Sequence, residues 1–257
     1  MATEIDRSGT PLIELRNMRK AFGGIRAVDD VSIDLYPGEV VGVLGHNGAG
    51  KSVLMKMVSG ALQRDAGEIL INGEKVEINH PLDARKYNIE TIYQYLALAD
   101  NLDAASNLFL GRELVTGTGL LNDAAMEAET RKIMGRLTPN FRRFSTPVAG
   151  LSGGQRQSVA ISRAVYFNAK ILIMDEPTAA LGVEETAMVA ELIDELKKQG
   201  IGIFLIDHDI HQVKSLCDRA SVMKNGKLVG TVEVDKASED DILGMIILGK
   251  QPEHLAA

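Results

Sequence analysis

A single cysteine, Cys217, occurs in the 257 residues, so no internal disulfide framework can form and the chain fits a reducing compartment. A lone thiol of this kind reads first as a small buried hydrophobe. No apolar run approaches the ~18 residues of a membrane-spanning helix. The opening, Met1 to Thr10, is polar and lacks the basic start and apolar core of a secretion signal. A role at a membrane is therefore expected only for a peripheral subunit held by another chain. Positive charge is in deficit: 28 Lys and Arg stand against 35 Asp and Glu, a net charge of −7. That balance argues against a general nucleic-acid coat, although it leaves room for a local basic patch. Internal repeats and low-complexity tracts are absent. What remains is 45% hydrophobic and 25% charged, ordinary for a globular protein, and long enough to bury a sizeable core in one large domain or two lobes.

Periodicity organises the chain. Leu12–Leu15 and Val31–Leu35 alternate apolar and polar residues as half-buried strands do, and Tyr36-Pro37-Gly38-Glu39 reads as a turn. Val40-Val41-Gly42-Val43-Leu44 is a nearly continuous apolar run, expected of a strand covered on both faces. A helix is expected over Ser52–Gly60, and Glu68–Gly73 reads as a strand ending in a hairpin turn. From about Asp100 to Asn168 apolar residues recur at helical spacing, with Asn122 a candidate cap, which predicts a helical lobe inserted between strands. Buried-strand patterns return at Ile171–Met174 and Ile201–Ile206, joined by a helix over about Val183–Gln199. A short acidic-starting helix is expected at Glu239–Leu248. Strands alternating with helices imply a mainly parallel α/β sheet.

The run Gly45-His46-Asn47-Gly48-Ala49-Gly50-Lys51-Ser52 has the phosphate-loop spacing and lies between a buried strand and a helix. Glycines let backbone N–H groups close on phosphate oxygens, the lysine reaches the β/γ-phosphates, and the serine hydroxyl can ligate Mg²⁺. Asp175 and Glu176 follow a buried strand directly. Beside a phosphate loop, the first carboxylate is placed to hold Mg²⁺ and the second to polarise an attacking water; taken alone, the pair is equally an acidic helix start. His208 follows the next buried strand, where it is either a γ-phosphate contact or a solvent-edge histidine. With His211 it forms half of a metal site, but no second His or Cys cluster supplies further ligands. Ser152-Gly153-Gly154-Gln155 offers a hydroxyl and open N–H groups at the start of a helix over Gln155–Phe167, which suits an anion or a plain N-cap.

The ordered set of Gly45–Ser52, Leu151-Ser152-Gly153-Gly154-Gln155 and Ile171–Glu176 resembles the nucleotide-binding domain of ABC transporters over nearly the whole chain. The resemblance implies an ABC-type P-loop NTPase fold with an antiparallel β subdomain, one domain over 1–257, and a helical lobe at about 100–168. It implies ATP and Mg²⁺, with Glu176 as general base and His208 on the γ-phosphate. It implies a contact of Gln94 with the metal or water and of Phe22 with adenine; spacing alone favours a surface glutamine and an ordinary phenylalanine. Gly45 through Val53 would line one nucleotide, and Ser152–Gln155 would reach the nucleotide of a second copy in a head-to-tail homodimer. Metal contacts would fall to Ser52, Gln94 and Asp175.

Finer similarities, at Leu98–Leu102, Asn107–Glu113 and Glu176–Gly182, point to the ATPase subunits of monosaccharide importers of the ribose/xylose/fructose class. That class implies membrane permease subunits as partners, an extracytoplasmic sugar-binding protein acting through them, a cytoplasmic position on the inner face of the cell membrane, and no nucleic acid. The alternatives are an importer of nucleosides or other small solutes and, further off, a soluble non-transport ABC ATPase, whose paired domains, long arms or basic tails are not visible. A GTPase is disfavoured, because no guanine-reading Asn-Lys-x-Asp motif occurs. Two positions depart from the pattern. Gly182 replaces the aspartate most ABC proteins present to the opposite subunit, and Tyr95 stands where the sugar class often has an acidic residue.

Overall fold

The structure, a computed structural model, describes residue 5, residues 7–179 and residues 181–255. Part of the polar opening, residues 1–4 and 6, and Ala180 within the Glu176–Gly182 similarity lie outside the described residues. The chain divides into two compact units. One takes the residues up to Thr91, Lys170–Glu176 and those from Leu196 on; the other takes Ile92–Ala169 and Pro177–Glu195.

In the first unit, β1 (Ile13–Phe22) and β2 (Ile25–Leu35) form an antiparallel pair. After β3 (Val40–Leu44) and α1 (Lys51–Val58), β4 (Ala66–Ile71) pairs antiparallel with β1 and with β5 (Glu74–Val76), giving a four-stranded sheet in the order β2-β1-β4-β5. Asn72 and Gly73, both at positive φ, make the tight turn between β4 and β5, the conformation a two-residue hairpin favours. The short helix α2 (Pro81–Lys86) leads into β6 (Ile89–Ile92).

The second sheet runs β10-β9-β3-β8-β7-β6, using β7 (Ile171–Asp175), β8 (Gly202–Ile206), β9 (Arg219–Lys224) and β10 (Lys227–Glu233). Strands β3, β7, β8 and β9 run parallel, and β10 returns antiparallel on β9. Every residue of β3 and β8 is buried, as their unbroken apolar composition requires. Gly42 permits the close approach of α7 (Ile210–Leu216): a Cβ there would come 2.9 Å from Val213 Cγ1 and 3.0 Å from Cys217 Sγ. Cys217 is thus a packing residue, and burial pushes its thiol well above the usual cysteine range. An apolar core cluster runs through Leu15, Val31, Val43, Leu54, Ile69, Ile173 and Phe204. Glu39, fully buried after the Tyr36–Glu39 turn, accepts both Nε and Nη2 of Arg219 at 2.8 and 2.9 Å. Arg219 also reaches Asp34 at 2.8 Å, so β2, β3 and β9 are tied by satisfied charge. The last helix, α8 (Glu239–Leu248), starts at a Ser238–Asp241 capping box.

The second unit is helical. It contains α3 (Ala104–Phe109), α4 (Asp123–Leu137), α5 (Gly153–Tyr166) and most of α6 (Val183–Lys198). Asn122 caps α4, its side chain accepting the N–H of Ala125 at 3.1 Å. Buried Asn107 fixes the preceding loop by exchanging two hydrogen bonds with the backbone of Ala99, at 2.7 and 3.1 Å. Phe109 meets Tyr166 edge-on at 4.8 Å, and Phe141, Phe144, Val148 and Val159 fill a neighbouring cluster. Helix α5 begins at Gly153, two residues before the sequence pattern places it, because the Ser152–Gln155 capping box brings both glycines into the first turn. Among the described residues no helix is long and apolar enough to cross a membrane.

Candidate active site

The phosphate loop leaves β3 through Gly45 and enters α1 through Gly50. Both have positive φ, 145° and 104°, and a Cβ on either would collide with a backbone carbonyl, of Met223 and Ala27 respectively. Glycine is therefore demanded by conformation and by space. Among the described residues no side chain caps α1, so its first-turn N–H groups suit an anion. Ser52 is exposed in that turn, whereas Val53 packs against the apolar core. The loop is self-braced: Ala49 N–H bonds to the His46 carbonyl at 3.1 Å, and the ring Nδ1 of His46 lies 2.7 Å from the Asn47 carbonyl.

Lys51 is buried and folds its ammonium back onto the carbonyls of Gly45 and His46, at 2.6 and 3.2 Å. Burial lowers its pKa, opposed by the charges of Glu176, Asp175 and Asp207. The cation thus lies in the field of three carboxylates at the ends of β7 and β8. Asp175 is raised above the ordinary carboxylate range, by burial first and by Glu176 second. Asp207, also raised mainly by burial, accepts the N–H groups of His208 and Asp209 at 2.7 and 3.0 Å. Glu176 has a left-handed backbone, φ 48°, held by its N–H bonding to the Ile206 carbonyl at 2.8 Å. A non-glycine residue in that region costs about 1–3 kcal/mol and is characteristic of functional positions. Its Oε1 lies 2.9 Å from His208 Nδ1.

The structure therefore gathers Gly45–Ser52, Asp175, Glu176 and His208 in the first unit around Lys51. His208 and His211 do not converge: His211 Nδ1 turns to Glu239 at 2.9 Å. Among the described residues no three His, Cys, Asp or Glu side chains gather as a metal site. The set nonetheless fits Mg²⁺ with a nucleotide, which needs few protein ligands when phosphate oxygens and water supply the rest; Ser52 and Asp175 are the hard oxygen donors at hand. Phe22 ends β1 at 49% exposure, with the Lys20 ammonium 5.6 Å from its ring centroid. Gln94 follows β6 at an exposed position in the second unit, and Tyr95 beside it is 87% exposed.

Ser152–Gln155 also belongs to the second unit. Ser152 Oγ accepts the Gln155 N–H at 3.3 Å, and Gln155 Oε1 accepts the Ser152 N–H at 3.1 Å. Two residues escaped the sequence reading. Asp207 occupies the end of β8 much as Asp175 ends β7, a parallel visible only once the two strands are paired. Glu185 lies against the start of α5; its signal was the Gly182-x-x-Glu185 spacing of a capping box.

A family model described as ABC transporter matches residues 28–179. The chain is 44% identical to the xylose/arabinose import ATP-binding protein XylG of Sulfolobus acidocaldarius, covering 93% of this chain and 98% of that protein. It is 39% identical to the fructose import ATP-binding protein FrcA of Rhizobium meliloti, covering 96% and 97%. The ribose import ATP-binding protein RbsA 1 of Burkholderia ambifaria is 43% identical, and there the match takes 93% of this chain but 47% of the relative, about half its length. An ATP-binding cassette of an ABC transporter, solved in its ADP conformation, superimposes with TM-score 0.77 at 26% identity, over 92% of this chain and 94% of that one. The fold and site thus define an ABC-type ATPase. The chain belongs to the ABC transporter family, with sugar-import ATP-binding subunits among its relatives.

Proposed function

We propose that this chain hydrolyses Mg·ATP at the Lys51 site to energise import of a monosaccharide through a membrane permease. The observation that carries the catalytic assignment is the 2.9 Å contact between Glu176 and His208 beside the phosphate loop. The cargo follows the names of the relatives, which are import proteins for xylose/arabinose, fructose and ribose.

In this reading the N–H groups of Gly48 to Ser52 and the Lys51 ammonium hold the β- and γ-phosphates, and Lys51 exchanges its two loop carbonyls for phosphate oxygens. Ser52 and Asp175 would hold Mg²⁺, which would neutralise charge on those oxygens when bound. Glu176 takes the proton of the attacking water, and His208 holds Glu176 in position and contacts the γ-phosphate. Phe22 stacks on the adenine, and Val53 supports the floor of the nucleotide site. Ser152, Gly153, Gly154 and Gln155 of a second copy complete the site in a head-to-tail homodimer. Residues 1–257 act as one nucleotide-binding domain on the cytoplasmic face of the membrane, and an extracytoplasmic sugar-binding protein signals through the permease.

Affinity capture of the chain from detergent-solubilised membranes tests the transport assignment. Co-purification of an integral membrane permease is the expected result. Recovery of ribosomal proteins without a permease contradicts it. In the reconstituted complex, ATP hydrolysis should rise with a sugar-loaded binding protein.

A further inference from the structure

The α5 N-terminus, assigned above to a second copy's nucleotide, already carries an anion of this chain. Glu185 Oε2 accepts the N–H of Gly182 at 3.3 Å. A Cβ on Gly153 would lie 3.3 Å from Glu185 Oε2 and 2.5 Å from Leu181 Cδ2; one on Gly154 would lie 3.2 Å from Glu185 Cβ. The two glycines therefore make room for the glutamate side chain at the start of α5. The Gly182 N–H first, and the neighbouring Ser152 hydroxyl and Gly154 and Gly153 N–H groups after it, lower the pKa of the Glu185 carboxyl. These groups all belong to the second unit.

We propose that Glu185 is an autoinhibitory latch: its carboxylate occupies the anion seat formed by Ser152, Gly153 and Gly154 and must leave before a γ-phosphate presented by a second copy can bind there. The proposal rests on the composite-site reading above. Its physical basis is competition. A carboxylate and a phosphate oxygen are both acceptors for the same few donors, and their like charges repel at this distance. The latch thus sets the ATP concentration at which two copies close, while leaving the Lys51 site of each copy to bind nucleotide unaided. Glu185 acts through the Ser152 seat and is a regulatory rather than a catalytic residue. The alternative, that Glu185 serves only as the cap of α6, predicts the opposite sign, because loss of a cap loosens the seat's surroundings and weakens closure.

The test uses the full chain carrying Glu176→Gln to suppress hydrolysis, with Mg·ATP titrated while dimer formation is followed by light scattering. Adding Glu185→Gln, which keeps an amide oxygen for the Gly182 N–H, should lower the half-maximal ATP concentration at least about threefold. Glu185→Ala should move it in the same direction even if thermal stability falls. An unchanged or raised half-maximal concentration in both variants overturns the latch. Ser152→Arg in the same background separates this from failure of the composite site. If that variant still dimerises with ATP like its parent, the composite reading itself is wrong and the latch falls with it. If it loses dimerisation while both Glu185 variants do not improve it, the latch alone is wrong.

Discussion

Glu176 Oε1 and His208 Nδ1 meet at 2.9 Å just beyond the carboxyl ends of β7 and β8, neighbouring parallel strands of one sheet. Thirty-two residues separate them in the chain, and the in-register pairing of Asp175 with Ile206 brings them together. The strained backbone of Glu176 is paid for by its N–H bond to Ile206. In the proposed mechanism this pre-positions Glu176 as the general base, with its carboxylate held against an imidazole.

Glu176→Gln keeps the side-chain shape and removes the base. Turnover should fall by about 10²–10⁴ while ATP still binds. Single-turnover hydrolysis together with equilibrium nucleotide binding checks both halves, and near-normal turnover would remove Glu176 from this role.

Lys51→Ala removes the cation that faces Asp175, Glu176 and Asp207. Those carboxylates then lose the ammonium's opposing charge and the phosphates lose their cation, so affinity for Mg·ATP and hydrolysis should both drop. Calorimetric titration measures the first and phosphate release the second. Unchanged values for both would mean that the loop is not the nucleotide site.

Asp175 gives a pH-dependent prediction. Its folded-state pKa is raised, by burial first and by Glu176 second. An acid raised in this way opposes folding once it ionises. The penalty is absent below the unfolded value near 3.9 and present in full above the raised folded value. Asp175→Asn should therefore stabilise the nucleotide-free chain at neutral pH, read as a raised Tm. The gain should shrink as the pH approaches about 4. Mg-dependent hydrolysis should be lost in the same variant. Thermal melts across pH without nucleotide supply the measurement.

Local pattern carried most of the fold. The unbroken apolar runs of β3 and β8 could only be buried strands, and the glycine spacing of Gly45–Lys51 announced the loop that Gly45 and Gly50 make with positive φ. Helix α8 lies at Glu239–Leu248, as its acidic start and apolar spacing indicated. The membership of the two units was less legible. Most of α6 groups with the helical unit although it links β7 to β8 in sequence, because grouping follows tertiary packing rather than periodicity. Asp207 and Glu185 were missed for a related reason. Neither stands out by local spacing: the pairing of Asp175 with Ile206 sets Asp207 beside the β7 end, and the turn at Gly182 folds Glu185 onto α5.

The central claim is that one ATP is shared between Lys51 of one copy and Ser152 of another. Mixing a Lys51→Ala chain with a Ser152→Arg chain tests it most directly. Each mutant homodimer has two broken sites, whereas a mixed dimer has one site broken twice and one intact. With equal mixing and free exchange, about a quarter of wild-type sites should reappear. ATP hydrolysis and nucleotide retention should then rise above those of either mutant alone. Mixed dimers that form, yet neither retain nor hydrolyse more ATP than the separate mutants, would contradict the shared site.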